Sequence, residues 1–326
     1  MPENSMKVTV LSGGIGGAKL VEGLASVLPA TSLKVIGNIG DDDEFHGLWV
    51  SPDIDILTYT LANRVNRETG WGFEGDTLET LKILKELGED TWMTLGDKDF
   101  AVHIFRTAAR KAGKRPTEIA LHMARKFGVN VPLYLPSDDL VPTRLLTSGG
   151  WLRMEEYFVR ERCAPEVTEV RYENCEKARP TPEALAAIGE ADILIIGPSN
   201  PVLSIAPILA IPGIREAIIK SRAYKVAVAP LINNAAIKGP TCKIMASLGL
   251  SPTLKGVAEY YHGLIDGFVI DASDTKEQAS LSSENIDIYT QNILMSTLAD
   301  RSKVAEQLLQ NLANAVNPGQ TRRQKA

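Results

Sequence analysis

Cysteine is scarce and scattered: Cys163, Cys175 and Cys242 are the only three, with no CxxC pair among them. The odd total and wide spacing exclude a disulfide framework and a cysteine-based zinc site, and they suit a reducing cytoplasm. Positive charge is also short. The 35 Lys and Arg face 40 Asp and Glu, a net charge of −5, so the field of the protein repels nucleic acid and no such partner is expected. No apolar run is long enough to span a bilayer, and Met1-Pro-Glu-Asn-Ser-Met6 lacks the basic-then-apolar form of a signal peptide, so no membrane partner is expected either. Aromatics make up only 6%; Trp49, Trp71, Trp92 and Trp151 read as core packing, and His122 and His262 as satisfied histidines in apolar helical pattern. What remains is ordinary: 44% hydrophobic and 23% charged residues over 326 positions, which excludes disorder as the main theme and suits one large or two modest domains.

The N-terminal stretch is the most informative. Lys7–Leu11 is an apolar, β-branched run ending in Ser12-Gly13-Gly14-Ile15-Gly16-Gly17, followed by Leu20, Val21, Leu24 and Leu28 on one helical face and by a second strand, Leu33–Gly37. Strand, glycine turn, helix, strand opens a parallel α/β sheet. Further strands are predicted at Val131–Leu135, Asp192–Ile196, Lys225–Ala229 and Gly267–Asp271, and helices at Thr77–Leu87, Phe100–Ala112, Thr117–Phe127, Pro182–Ile188, Gly213–Ser221 and Lys303–Val316. The expected fold is a doubly wound, mainly parallel, Rossmann-like α/β sheet. Its nucleotide-binding core would comprise residues 6–52 and 130–318, with a mostly helical insertion at 53–129 covering the site and a flexible tail at 319–326.

Glycines after a first strand let backbone approach a phosphate, and the following helix aims its N–H groups and positive dipole end at it. Lys19, one turn in, adds a point charge. The motif is not a Walker A loop, because Lys19 precedes Leu20 rather than Ser or Thr. Nor is it the dinucleotide fingerprint, because Lys19 stands at the third small position and Asn38 where an acid belongs. A glycine turn without a ligand is the plain alternative. After the second strand comes Asn38-Ile39-Gly40-Asp41-Asp42-Asp43-Glu44, then His46, then Ser51-Pro52-Asp53-Ile54-Asp55. Crowded carboxylates at a strand end repel one another unless a cation joins them, and hard oxygens beside a phosphate suit Mg²⁺. For Asp53 and Asp55 helix capping competes with function, and so it does for Asp97 and Asp99 in Leu95–Asp99, which precedes a helix carrying His103 and Arg106. Ser137-Asp138-Asp139 and Gly197-Pro198-Ser199-Asn200-Pro201 also follow strands, so five polar clusters converge on the carboxyl ends where open α/β sheets bind ligands.

Taken together, Ser12–Leu20, Asn38–Asp42, His46–Leu48, Ser51–Asp55, Leu95–Asp99 and Gly197–Pro201 resemble the 2-phospho-L-lactate transferase (CofD) family of coenzyme F-420 biosynthesis, and Tyr157–Arg162 and Pro212–Glu216 extend the match. The resemblance implies a phosphotransferase: the ribityl hydroxyl of the deazaflavin Fo attacks a guanosine-diphosphate-activated phosphoacid, GMP leaves, and Mg²⁺ assists. It implies Asp55 and Thr94 as Fo-binding, with Gly13, Gly14, Gly16, Gly17, Lys19, Asn38, Ser199 and Asn200 around the nucleotide. The residues themselves lead to the expectation of Asp55 and Asp53 as catalytic carboxylates, Asp42 and Asp53 as metal ligands, and Asp97, Asp99, Ser137, Asp138 and Asp139 in support. A cytoplasmic homodimer is implied too. Ile15 and Ile39 stand where the family often has threonine, Pro142 where it has arginine, and Met154-Glu155 where it has Phe-Gln. These changes leave 2-phospho-L-lactate, phosphoenolpyruvate and 3-phosphoglycerate all open as the transferred acid. The alternative is a non-catalytic nucleotide-sugar-binding regulator of the related gluconeogenesis-factor family. An NAD-dependent oxidoreductase is a more distant one.

Overall fold

The computed structural model describes residues 6–281 and 286–316, so the tail expected at 319–326 lies outside the described residues. Seven strands form one parallel sheet in the spatial order Asp287–Gln291, Gly267–Asp271, Tyr224–Val228, Ile193–Ile196, β1 (Val8–Ser12), β2 (Leu33–Gly37), Leu133–Tyr134. β1 is buried along its whole length, as a central parallel strand covered on both faces must be, which explains its unbroken apolar run. The chain passes from β1 to β2 on one side, and its later half builds outward from the other side of β1, beginning with Ile193–Ile196. The strand order therefore reverses at β1, and a crevice opens between the turns that leave β1 and Ile193–Ile196.

Helix α1 (Gly14–Val27) follows β1 directly and packs against α2 (Pro52–Leu61) and the C-terminal helix Leu298–Val316. A buried Arg301–Glu22 ion pair ties that last helix to α1. The middle of the chain supplies α2, α3 (Glu79–Glu86), α4 (Asp97–Lys111) and α5 (Pro116–Lys126). Ile54 and Leu57 of α2 and Ala120 and Ala124 of α5 join the main core under the sheet, while Tyr59, Val102, Ile119 and Met123 form a second, smaller core.

Antiparallel structure is the part that periodicity missed. Asp43–Phe45 pairs with Leu48–Val50, and Thr143–Thr147 pairs with both Gly150–Arg153 and Glu169–Tyr172. The edge strand Asp287–Gln291 was not anticipated either. Two π-helical turns, Glu156–Arg160 and Pro201–Ile205, flank the crevice, a common place for such turns. Among the described residues no single helix is long and apolar enough to cross a membrane.

Candidate active site

The crevice is a cavity of about 530 Å³, large enough for a sizeable cofactor. Its walls come from the glycine turn, the Pro198–Asn200 turn, the start of α2, the segment Met93–Leu95 with the start of α4, and the loops around Lys238 and Leu294.

Ser199 ties the two strand ends together, its hydroxyl donating to the Gly13 carbonyl at 2.7 Å and accepting from the Gly13 amide at 3.2 Å. Gly14 takes a positive φ of 66°, which glycine adopts at little cost, and its amide donates to Asp53 Oδ1 at 2.7 Å. Asp53 thus caps a helix, but α1 rather than its own; such a cap is worth about 1 kcal/mol. With the Gly13 and Gly14 amides satisfied by protein groups, the amides of the first turn of α1 that lack an acceptor one turn back are those of Ile15 and Gly16, and both residues line the cavity. Gly16 has a second reason to be glycine: a Cβ there would lie 2.5 Å from the Pro198 carbonyl oxygen. Lys19 also lines the cavity, and burial lowers its pKa, with the charges of Arg301 and Lys238 acting in the same direction. Asn200 spends its carbonyl oxygen on the Val202 and Leu203 amides and keeps a buried amide nitrogen without a partner.

The acidic segment sorts itself by facing direction. Asp41, Asp53 and Asp55 line the cavity; Asp42 does not. Asp42 turns behind it, accepting from Ser51 Oγ at 2.8 Å and from Trp49 Nε1 at 3.4 Å, and burial pushes it up to about 7. The expected metal pair of Asp42 and Asp53 is therefore not brought together at the cavity. Asn38, fully buried, donates through one amide nitrogen to Asp53 at 2.9 Å and Asp41 at 3.2 Å, so it is those two carboxylates that face one another. Burial raises both, and for Asp41 the charges of Asp53, Glu155 and Asp42 add to it. Among the described residues no three His, Cys, Asp or Glu side chains gather as a complete metal cage. Mg²⁺ does not need one: it takes one or two carboxylates and fills its shell with phosphate oxygens and water. The Asp41–Asp53 pair fits that requirement.

Asp55 forms a buried ion pair with Arg106, and its other oxygen lies 3.8 Å from His103 Nδ1 without a hydrogen-bond partner. Its pKa is raised by burial against the opposing pull of Arg106. His103 is neutral, lowered to about 3 by burial and then by Arg106. Thr94 lines the same cavity, together with Tyr59, Trp71, Met93, Leu95 and Asp99. Burial and the Asp55 charge push Asp99 up to about 6, while the Gly96 amide that it accepts pulls the other way.

Four expected residues serve architecture instead. Asp97 accepts the amides of Glu79 and Thr80 and the Thr77 hydroxyl, capping α3. Asp138 accepts the Thr117 amide and pairs with Arg115 at the start of α5. Ser137 and Asp139 bond the backbone of Arg179. Gly17 and Asn38 are buried and do not line the cavity. Conversely, Glu155 and Lys238 line the cavity although residue pattern did not select them, and so does Asp41, which belongs to the expected acidic cluster but carried no role of its own. Glu155 is pushed up to about 8 by burial and then by Asp53 and Asp43. Only its place in a segment that departs from the family pattern marked it.

Parallel strand order, a glycine turn and a polar crevice at the order reversal define the class: doubly wound α/β proteins that bind their ligand at the switch point. Within that class the chain belongs to the 2-phospho-L-lactate transferase CofD family, a family of transferases, whose model matches residues 8–315. It is 36% identical over 311 residues to a phosphoenolpyruvate transferase of Streptomyces griseus, covering 94% of this chain and 98% of that protein. It is also 36% identical over 307 residues to a 2-phospho-L-lactate transferase of Methanocaldococcus jannaschii, covering 93% and 97%. Equal likeness to relatives named for different acids means that overall similarity does not choose between them. A crystal structure of a UPF0052-family protein from Bacillus halodurans shares the fold, with a TM-score of 0.59 at 18% identity over 93% of this chain and 98% of that one.

Proposed function

We propose that this protein transfers a phosphoacid from its guanosine-diphosphate-activated form to the ribityl hydroxyl of Fo, releasing GMP, in coenzyme F-420 biosynthesis. The observation that carries the reading is a single cavity lined both by the first turn of α1 with Lys19, which suit a diphosphate, and by Trp71, Met93 and Leu95, which suit a planar ring, with Asp41, Asp53 and Asp55 on the same walls. The hydroxyl oxygen bonds to the phosphorus that carries the acid, the bond from that phosphorus to the bridging oxygen breaks, and GMP departs with that oxygen. Asp55, held in place by Arg106, accepts the hydroxyl proton, and the amides of Ile15 and Gly16 with Lys19 hold the phosphoryl oxygens. Asp41 and Asp53 would hold Mg²⁺, which when bound neutralises diphosphate charge. Asn38 holds both carboxylates in register. The proposal includes a cytoplasmic homodimer.

The test is incubation of the protein with Fo, Mg²⁺ and each of the three guanylylated acids in turn, with mass spectrometry of the products. One acid giving a phosphodiester of Fo together with GMP is the expected result. Nucleotide binding without product from any of the three would replace the transferase reading with that of a binding regulator.

A further inference from the structure

Lys238 lies on the loop between the short strand Ala235–Ala236 and the helix Thr241–Ser247, far in sequence from the glycine turn, yet it lines the same cavity as Lys19. Its ammonium donates to the Thr69 carbonyl at 3.5 Å, a long bond that is easily exchanged for a better acceptor. Thr69 precedes Gly70, where a Cβ would lie 2.9 Å from the Ile15 side chain, so the 66–72 loop is seated on the first turn of α1. Three separate segments therefore meet at this rim: the start of α1, the 66–72 loop and the Lys238 loop.

Neither ammonium at this rim has an ion-pair partner among the described residues, although carboxylates such as Asp41, Asp53 and Asp55 line other walls of the cavity. Glu22 is the acid that acts on Lys19, and it is already engaged by Arg301 and by both terminal nitrogens of Arg67. Two ammonium groups thus face one cavity in a protein of net charge −5. A dense anion relieves that repulsion, and an ammonium reaches phosphate oxygens as a mobile point charge.

We infer that Lys238 is a second diphosphate-binding residue, gripping one phosphate of a nucleoside-diphosphate ester while Lys19 and the α1 amides hold the other. This rests on the reading of the cavity as a nucleotide-diphosphate site. Lys238 is then what makes the protein prefer a diphosphate to a monophosphate, and its grip is lost when the product monophosphate forms. Because Lys238 is exposed in the free protein, the architecture does not depend on it.

The experiment measures GDP, GMP and inorganic pyrophosphate affinity by calorimetry for the parent, Lys238→Met and Lys238→Arg, with melting temperatures alongside. Removing one charge-assisted bond weakens GDP and pyrophosphate roughly tenfold and GMP less than about threefold, and arginine restores most of the loss. Melting temperatures stay level. If Lys238→Met keeps the parent's ratio of GDP to GMP affinity, the inference is overturned. A parent that binds pyrophosphate in a Lys238-dependent way but ignores GDP upholds the lysine and refutes the guanine nucleotide. A parent that binds none of the three refutes both.

Discussion

Replacing Asp55 with Asn, alone and together with Arg106→Met, separates catalysis from architecture, because α2 takes no side-chain cap and the structural partner of Asp55 is Arg106. The amide keeps the volume and one acceptor for the guanidinium, but it leaves Arg106, only 5% exposed, without its anion. The other carboxylate acting on Arg106, Asp42, is itself pushed up to about 7 and cannot take over fully at neutral pH. Breaking a buried pair from one side costs about 3–5 kcal/mol. With an unfolding entropy of about 2.1 cal/mol/K per residue over 326 residues, the melting temperature falls by roughly 4–7 °C, less whatever the amide acceptor recovers. Assayed at 25 °C, where the variant remains folded, turnover with Fo drops about 10²–10⁴-fold while GDP affinity holds, as loss of a general base requires. The double variant Asp55→Asn with Arg106→Met removes both charges and recovers most of the melting temperature, but not the turnover. Turnover within a few-fold of the parent for the single variant, or recovery in the double variant, would make Asp55 a structural partner of Arg106 and nothing more.

The remaining expectations follow from which way each acid faces. Asp41→Asn weakens Mg²⁺ binding in the presence of GDP by about tenfold, the loss of one charged ligand, while Asp42→Asn leaves it within about twofold; equal losses in a calorimetric titration would return Asp42 to the cation site. Asp97→Ala and Asp138→Ala lower the melting temperature by uncapping α3 and α5 and leave kcat/KM unchanged, and a fall in kcat/KM at matched folded fraction would contradict their architectural assignment. Asp99 is pushed up to about 6, above its unfolded value, so the folded state binds its proton more tightly than the unfolded chain does. Its contribution to stability is present at pH 4 and is withdrawn as pH rises through 6. Asp99→Asn should flatten the stability–pH curve between pH 4 and 7, and an unchanged slope in denaturant titrations would show that another group titrates there.

The antiparallel pieces show where pattern reading stops. Thr143–Thr147 alternates buried and half-buried positions and is followed by the Gly149-Gly150 turn, so a hairpin signal was present, but it is short and sits between stronger helical segments. The hairpin Asp43–Phe45 with Leu48–Val50 begins inside a run of four acids, Asp41 to Glu44, and charge disguised it as a loop. In the acidic segment, identical neighbours had no periodicity to sort them. Asp41 and Asp42 differ by one position, yet one faces the cavity and the other faces Ser51 and Trp49.

The sequence by itself determined the parallel α/β core, because strands buried on both faces must be continuous apolar runs and amphipathic helices must carry a 3.6-residue stripe, and both are local properties. It also determined that the glycine turn, the Asn38 segment and the Pro198–Asn200 turn gather at the carboxyl ends of strands, since each directly follows its own strand of the parallel sheet. Tertiary structure alone decided which members of those clusters meet. Asp53 caps a helix 39 residues away, Ser199 locks onto Gly13 across 186 residues, and Arg106 reaches Asp55 across 51. Glu155 and Lys238 enter the cavity from segments with no motif of their own. Such encounters depend on how loops are carried by the sheet and on which carboxylate finds a donor when water is excluded, and neither is written in the spacing of residues along the chain.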